Sequence, residues 1–351
     1  KRVSEKTGKE LADKVTVFNP GSRQQIVERL ESIGVMFLKR TDKGSKIVDE
    51  TVLSSIDRPE AKLISRYLMI HKRISQINSW FDAVKSDGRV HGSVITNGAV
   101  TGRMTHMSPN MAQVPNSNSE YGSECRELWE VEEGNVLVGA DASGLELRML
   151  AHYMRDKRYI KTVCEGRQDN GTDVHTMNMK AAGLTNRNQA KTFIYAFLYG
   201  AGPAKIGSVI NGSAYQGRTL IRRFLRNTPA LDRLKQKLGN YSENGWLPGL
   251  DGRRLEVRSE HAALNTLLQG AGAILMKKAL IILDTKLKTC GIIASFCANV
   301  HDEWQIEAKR EDSELVGQLA VESIEEAGKH FKLRCPTTGE WKCGTNWKET
   351  H

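Results

Sequence analysis

The chain has 351 residues, enough for two or three lobes with substantial cores. At 39% hydrophobic and 26% charged it has the make-up of an ordinary globular protein. The net charge of +10, from 51 basic and 41 acidic side chains, favours a polyanionic partner, but the many acids exclude a uniformly cationic shell, so a nucleic-acid surface has to be a directed patch.

Cys125, Cys164, Cys290, Cys297, Cys335 and Cys343 form no CxxC pair and no zinc-finger spacing with histidine. A reduced intracellular compartment is expected rather than secretion. No apolar stretch is expected to reach the roughly 18 residues of a membrane span. The best candidate, AGAILMKKALIIL, is interrupted by Lys277 and Lys278. The chain does not begin with methionine and reads as a fragment or a processed product.

Helical periodicity dominates residues 22–88: RQQIVERLESIGV carries an apolar face, and EAKLISRYLMIHKRISQINSWFDAV extends it. After the Asp87-Gly88 turn, β-branched alternation around Asn97-Gly98 predicts short strands or a hairpin in RVHGSVITNGAVTGRMT. The apolar run VLVGA over 136–140 predicts a buried strand with Asp141 at its end, and GLELRMLAHYM then takes up helical spacing. Helices are predicted over 173–182, 187–199 and 214–239, the last starting near Ser213 and broken at Pro229. Turns at Asn244-Gly245 and Pro248-Gly249 precede a long, largely buried helix in LNTLLQGAGAILMKKALIILDTKLKT. Two strands, 293–300 and 303–308, then meet through a tight His301-Asp302 connection, which puts Asp302 at a hairpin tip. The expected class is α+β, with helices flanking a small antiparallel sheet.

Asp141 and Asp302 are carboxylates at strand ends, a position that also suits a solvated turn residue or, for Asp141, a cap on the helix beginning near Gly144. Two such acids can hold two magnesium ions, because hard cations take oxygen ligands and leave room for water and phosphate. Between them in the chain, Arg187, Lys191 and Tyr195 stand four residues apart; each step advances about 40° around a helix, so they share a broad face. The plain reading is a solvated cationic edge. Against it, TFIYAFLYG is apolar enough to be largely buried, which would leave a lone Lys191 costly unless it meets an anion, for which a triphosphate is suited. Arg187 offers a planar fork to such a group and Lys191 a compact charge. Competing motifs fail: GADASGLE lacks the Lys-Ser/Thr of a phosphate-binding P-loop, GAGPAKIG has one residue too many for a dinucleotide fingerprint, and no GxSxG occurs.

Taken together, DASGLELR, RNQAKTFIYAFLYG and VHDEW resemble motifs A, B and C of the family A (Pol I-type) DNA polymerases. TGRMTHMSPNMAQVP resembles the family's primer-template segment, and LDGRRLEVRSEHAALNTLLQG its segment before motif C. With FNPGSRQQI and GTNW included, the resemblance runs from about residue 18 to the end and is nearest to the replicative polymerases of short-tailed T-odd bacteriophages. It implies that Asp141 and Asp302 are catalytic and ligate two Mg²⁺ ions, with Mn²⁺ as a substitute and the Ala142 carbonyl assisting. Arg187, Lys191 and His175 would contact the triphosphate. Tyr195 would pack on the incoming nucleotide. Glu146 would lie beneath the sugar as a gate against a 2′-hydroxyl and bond the Tyr195 phenol. Tyr199 and Gly200 would shape the template-base site. Arg103, Arg126, Asn265, Gln269 and His301 would contact primer-template DNA, whose minor-groove acceptors are largely sequence-neutral. Glu303 would be an accessory acid or a solvated neighbour. Trp304 departs from the aliphatic residue usual there.

The implied architecture is a right hand: a partial thumb and connection over 1–90, palm over 91–153, fingers over 154–248 and palm again over 249–351. The implied partners are primer-template DNA and dNTPs, with a possible processivity factor or separate exonuclease. No proofreading is expected of this chain, and a cytoplasmic location in a phage-infected or bacterial cell is. A single-subunit RNA polymerase shares the His-Asp of motif C, but Glu146 and the HDE triplet favour deoxynucleotides. A reverse transcriptase-like or translesion role stays open. A non-catalytic DNA-binding protein would have no need of Asp141 and Asp302.

Overall fold

Capping side chains start two helices of the amino-terminal part, and a proline opens the third. The computed structural model describes residues 2–3, 10–11, 17–41 and 43–351. It divides into two compact units, Lys1–His91 and Gly92–His351. In the first, β1 (Arg2–Val3) and β2 (Glu10–Leu11) pair antiparallel. Ser22 accepts from the Gln25 N–H to start α1 (Arg23–Ser32), and Asp49 accepts from the Val52 N–H to start α2 (Glu50–Ser54). Pro59 sits in the first turn of α3 (Pro59–Ala83), where its missing N–H leaves no bond unmade. Ile26, Leu30, Leu53, Ala61 and Ile64 close a small core with Val35, Phe37 and Val48.

The second unit begins with the expected hairpin, β3 (Ser93–Ile95) against β4 (Thr105–Met107), its loop running through residues 96–104. Then come α4 (Gly122–Glu127), β5 (Asn135–Ala142), α5 (Leu145–Met154), α6 (Lys157–Glu165), α7 (Val174–Ala182), α8 (Arg187–Leu198) and α9 (Pro203–Val209). Ser213 and Gln216 form a reciprocal capping box at the start of α10 (Ala214–Asn227). Pro229 ends that run and opens α11 (Pro229–Ser242), so the proline breaks the predicted helix into two. A short hairpin, β6 (Trp246–Pro248) with β7 (Arg254–Glu256), leads into α12 (Glu260–Thr289). The chain closes with β8 (Ala294–Val300), β9 (Glu303–Lys309), α13 (Ser313–His330) and β10 (Gly339–Gly344).

The main sheet runs β10-β5-β9-β8, with every pair antiparallel, so the class is α+β as expected. β5 lies in the interior of the sheet, and Val136, Val138, Ala140 and Ala142 are all buried. They share one core with Trp304 and Ile306 of β9 and with Val316, Ala320, Ile324 and Ala327 of α13. Trp304 is fully enclosed, its bulk taken up between sheet and helix. Gly317 makes the close approach possible: a Cβ there would stand 2.1 Å from the Trp341 ring of β10. α12 packs on both α13 and α5. It is long and apolar enough by composition to cross a membrane, contrary to expectation, but 67% of its apolar window is buried inside this core. Core burial accounts for that composition.

One buried histidine gives the fold an acid-sensitive point. His152 of α5 is 7% exposed, and its Nδ1 accepts the Arg334 N–H at 3.1 Å. Burial, then the Arg334 and Arg155 charges, push it down to about 4 from an ordinary 6.5. The unfolded chain therefore takes up this proton first, and stability falls as pH drops from 6.5 toward 4. Urea denaturation at pH 7 and pH 4.5 should show a smaller acid loss in His152→Gln than in the parent chain.

Candidate active site

The β8–β9 turn is where the two sequence-predicted acids meet. Val300 pairs with Glu303 across a connection of only His301 and Asp302, and His301 adopts the left-handed conformation (φ 60°) needed for so tight a reversal. On the other side of β9, Asp141 of β5 stands opposite Glu303, and the Ala142 N–H donates to the Asp302 carbonyl at 3.0 Å. Register alone thus brings acids 161 positions apart to one end of the sheet. Asp141 keeps solvent access, but the protein packed round its carboxylate, and then Asp302, Glu303 and Glu340 as like charges, push it up to about 7. Burial likewise raises Asp302, with Arg103 and His301 pulling the other way. Among the described residues no group of three or more His, Cys, Asp or Glu side chains forms a closed metal cage. Two carboxylates strained by mutual repulsion, with a backbone carbonyl beside them, are a donor set suited to hard divalent cations that keep water and substrate oxygens.

Glu146, in the first turn of α5, receives the Tyr199 phenol at 2.9 Å on both carboxylate oxygens and faces Arg103 at 3.6 Å. Sequence reasoning gave that bond to Tyr195. Tyr195 and Tyr199 lie one step of four apart with ring centroids 6.4 Å apart, and Tyr199, at the end of α8, is the one that reaches. Gly200 follows with φ 77°, and a Cβ there would stand 2.4 Å from the His261 carbonyl oxygen, so the chain leaves the helix by a route closed to other residues.

Asn186 caps α8, whose first residue Arg187 forms a bidentate pair with Asp173 at 2.8 Å. Phe193, Ile194, Phe197 and Leu198 turn inward. Most of the apolar side chains of TFIYAFLYG are buried as expected, yet Lys191 itself is exposed, with Phe193 and Phe197 on the far side of the helix. His175, in the first turn of α7, has its ring centroid 6.1 Å from that of Tyr195. Burial lowers the His175 pKa, and the Arg187 and Lys191 charges lower it further. Tyr195 is raised by burial, then by the Glu146 and Asp302 charges, which ties α8 to the acidic end of the sheet.

The remaining sequence-predicted residues divide. Arg103 and His301 line a shallow pocket with Lys277 and Asn299. Asn265 and Gln269 sit one turn apart on a partly exposed line of α12, between buried neighbours. Arg126 is not an open surface cation. It is 6% exposed, donates from Nε to the Pro115 carbonyl at 2.9 Å, and stacks 4.6 Å over the Trp347 ring. Glu303 is not open to a cation either: it receives the Trp347 indole at 2.6 Å and the Gln305 amide at 2.5 Å, and pairs with His351 at 2.9 Å. Burial alone would raise its pKa, but these partners hold it below the ordinary value. Asp173 and the Trp347–His351 cluster went unread in the sequence; TDVHT does carry a helix-cap signature that points to Asp173.

A family model described as DNA polymerase family A matches residues 2–349. The chain is 41% identical to the DNA-directed DNA polymerases of Enterobacteria phage T3 and Escherichia phage T7, over 95% of this chain and 53% of each relative. It thus spans about half the length of those relatives. The thermostable DNA polymerase I of Thermus aquaticus is 28% identical over 94% of this chain and 42% of its own. Among solved structures, the POL domain of Pol1 from M. smegmatis, in complex with DNA primer-template and dNTP, matches with a TM-score of 0.83 at 23% identity, covering 95% of this chain and 62% of that one. That likeness shows the right-hand polymerase fold. With the family model running along nearly its whole length, the chain belongs to DNA polymerase family A.

Proposed function

We propose that this chain adds deoxynucleotides to a primer 3′-hydroxyl under the direction of a DNA template. The observation that carries the reading is the meeting of Asp141 and Asp302 at one end of the sheet, with the end of α8 bonded to Glu146 through Tyr199. Residues 1–90 would serve as partial thumb and connection, 91–153 and 249–351 as palm, and 154–248 as fingers. Asp141, Asp302 and the Ala142 carbonyl would hold two Mg²⁺ or Mn²⁺ ions. Bound there, such ions supply Lewis acidity for an in-line phosphoryl transfer.

The chain's own groups do the rest. Arg187 and Lys191 bind and orient the triphosphate, with His175 beside them. Tyr195 packs on the base or sugar, and Tyr199 and Gly200 shape the place of the templating base. Tyr199 and Arg103 fix the Glu146 carboxylate, so a ribose 2′-hydroxyl meets a held acid rather than a mobile one. Arg103, His301, Asn265 and Gln269 face the duplex, and closure of the α8 face toward the acids tests pairing before chemistry. Synthesis without proofreading is the proposed activity of this chain, with a processivity factor or separate exonuclease as proposed partners.

Primer extension with Mg²⁺ tests the reading. Extension with dNTPs and little with rNTPs is expected; preference for rNTPs sinks the Glu146 gate, and no extension with either sinks the assignment. A finer check uses chain terminators. Tyr195→Phe removes a phenol able to stand in for a missing 3′-hydroxyl, and one lost hydrogen bond should raise discrimination against dideoxynucleotides about tenfold. An unchanged dideoxy/deoxy incorporation ratio contradicts that role.

A further inference from the structure

We infer that Asp173 is a positioning residue for the incoming nucleotide, holding the Arg187 guanidinium in the orientation that leaves its far edge free for a phosphate. The inference rests on the nucleotide-binding reading of α8. Asp173 Oδ1 receives Arg187 Nη2 at 2.8 Å and Nε at 3.1 Å, and Oδ2 lies 3.3 Å from the same Nε. A guanidinium presents five donors in one plane, and this docking uses the Nε–Nη2 side. Among the described residues Nη1 makes no hydrogen bond. One side of the fork is therefore fixed and the other is available.

The same carboxylate sets the geometry of the neighbouring helix. Asp173 Oδ1 caps α7 by accepting the His175 N–H at 3.0 Å and the Thr176 N–H at 3.4 Å, while Oδ2 receives the Thr176 hydroxyl at 2.6 Å. One acid thus locks the first turn of α7, which carries His175, to the first residue of α8, which carries Arg187. The His175 Nδ1 is buried and has no hydrogen-bond partner among the described residues, so this junction has room for a polar ligand group. Burial works to raise the Asp173 pKa, yet the bonds from Arg187, Thr176 and His175 hold it well below the usual carboxylate range, so the pair is ionised under working conditions. An arginine left free would have to lose its rotamer freedom each time a nucleotide bound; one already docked has lost it on folding.

Capping alone predicts a different outcome from positioning, and Asp173→Asn separates the two. Asparagine caps a helix as well as aspartate does but carries no charge for the guanidinium. In single-nucleotide primer extension, Asp173→Asn should raise the dNTP KM about tenfold and leave kcat within about twofold, because the lost contact orients rather than reacts. Its melting temperature should stay near that of the parent chain. Added to Arg187→Ala, the same change should raise KM by less than about twofold, since the group it positions is gone. Should asparagine lower the melting temperature, Asp173→Ser keeps a capping oxygen and is read the same way. A parental KM in either variant, or effects that multiply in the double variant, overturns the inference while the polymerase reading stands. A parent chain that extends no primer overturns both.

Discussion

Asp141→Asn should abolish primer extension, lowering kcat by about a thousandfold or more, and at the same time raise the melting temperature of the metal-free protein at pH 8. The first half follows from chemistry. An amide supplies a weaker, neutral oxygen to a divalent cation, and of the pair only Asp302 keeps its charge. The second half follows from the fold. The Asp141 pKa is pushed up to about 7 from 3.8, first by burial and then by Asp302, Glu303 and Glu340. A carboxyl that resists ionisation when folded costs stability as pH rises from 3.8 through about 7, and that cost then persists at higher pH. Asparagine cannot ionise, so the gain appears at pH 8 and vanishes near pH 3. Melting in EDTA at both pH values, with extension assays in Mg²⁺, checks the two halves separately. Parental extension rates in Asp141→Asn reject the metal assignment. A lower melting temperature at pH 8 rejects the electrostatic account of this end of the sheet. Such opposition between function and stability is what a cluster of like charges kept for cation binding should show.

The acids and the α8 spacing were legible because each depends on local pattern. A buried apolar run ending in Asp141, and two strands joined by His301-Asp302, leave few alternatives for where the carboxylates go, and the Pro229 break is dictated by a missing N–H. Contacts between distant segments were not legible in this way. Glu303 looks like an open acid beside Asp302 until Trp347 and His351, 44 and 48 positions further on, bond its carboxylate. Arg126 looks like a free cation until the same Trp347 covers it. The tyrosine bonded to Glu146 was misassigned because Tyr195 and Tyr199 share a face by periodicity, and only the end of α8 decides between them. Lys191 is exposed because α8 separates it from Phe193 and Phe197, which are close to it in sequence but lie on the far side of the helix. α13 did carry a signal that went unused. Val316, Leu319, Ala320, Ser323, Ile324 and Ala327 follow the three-and-four spacing of a packed helix face.

The exposure of Lys191 sharpens its predicted role. A lysine whose burial was satisfied by an internal acid would be structural, and its loss would show as unfolding. Lys191 lies at the surface, and among the described residues no acid forms a salt bridge with it. Its charge is nevertheless felt at His175, whose pKa falls under burial, Arg187 and then Lys191. Lys191→Ala should therefore leave the melting temperature unchanged and lower kcat/KM for dNTPs by about a hundredfold, the usual scale for removing one fixed charge from a developing anion. Arg187→Ala should behave differently, because it strands the Asp173 carboxylate in a partly buried site and costs about 1–3 kcal/mol of stability in addition to nucleotide affinity. Lys191→Arg should recover part of the loss, since charge is retained while the compact ammonium is replaced by a broader fork. Single-turnover extension across a dNTP series, set beside thermal melts of the three variants, distinguishes these outcomes. Parental kinetics in Lys191→Ala would mean that the triphosphate lies elsewhere than on α8.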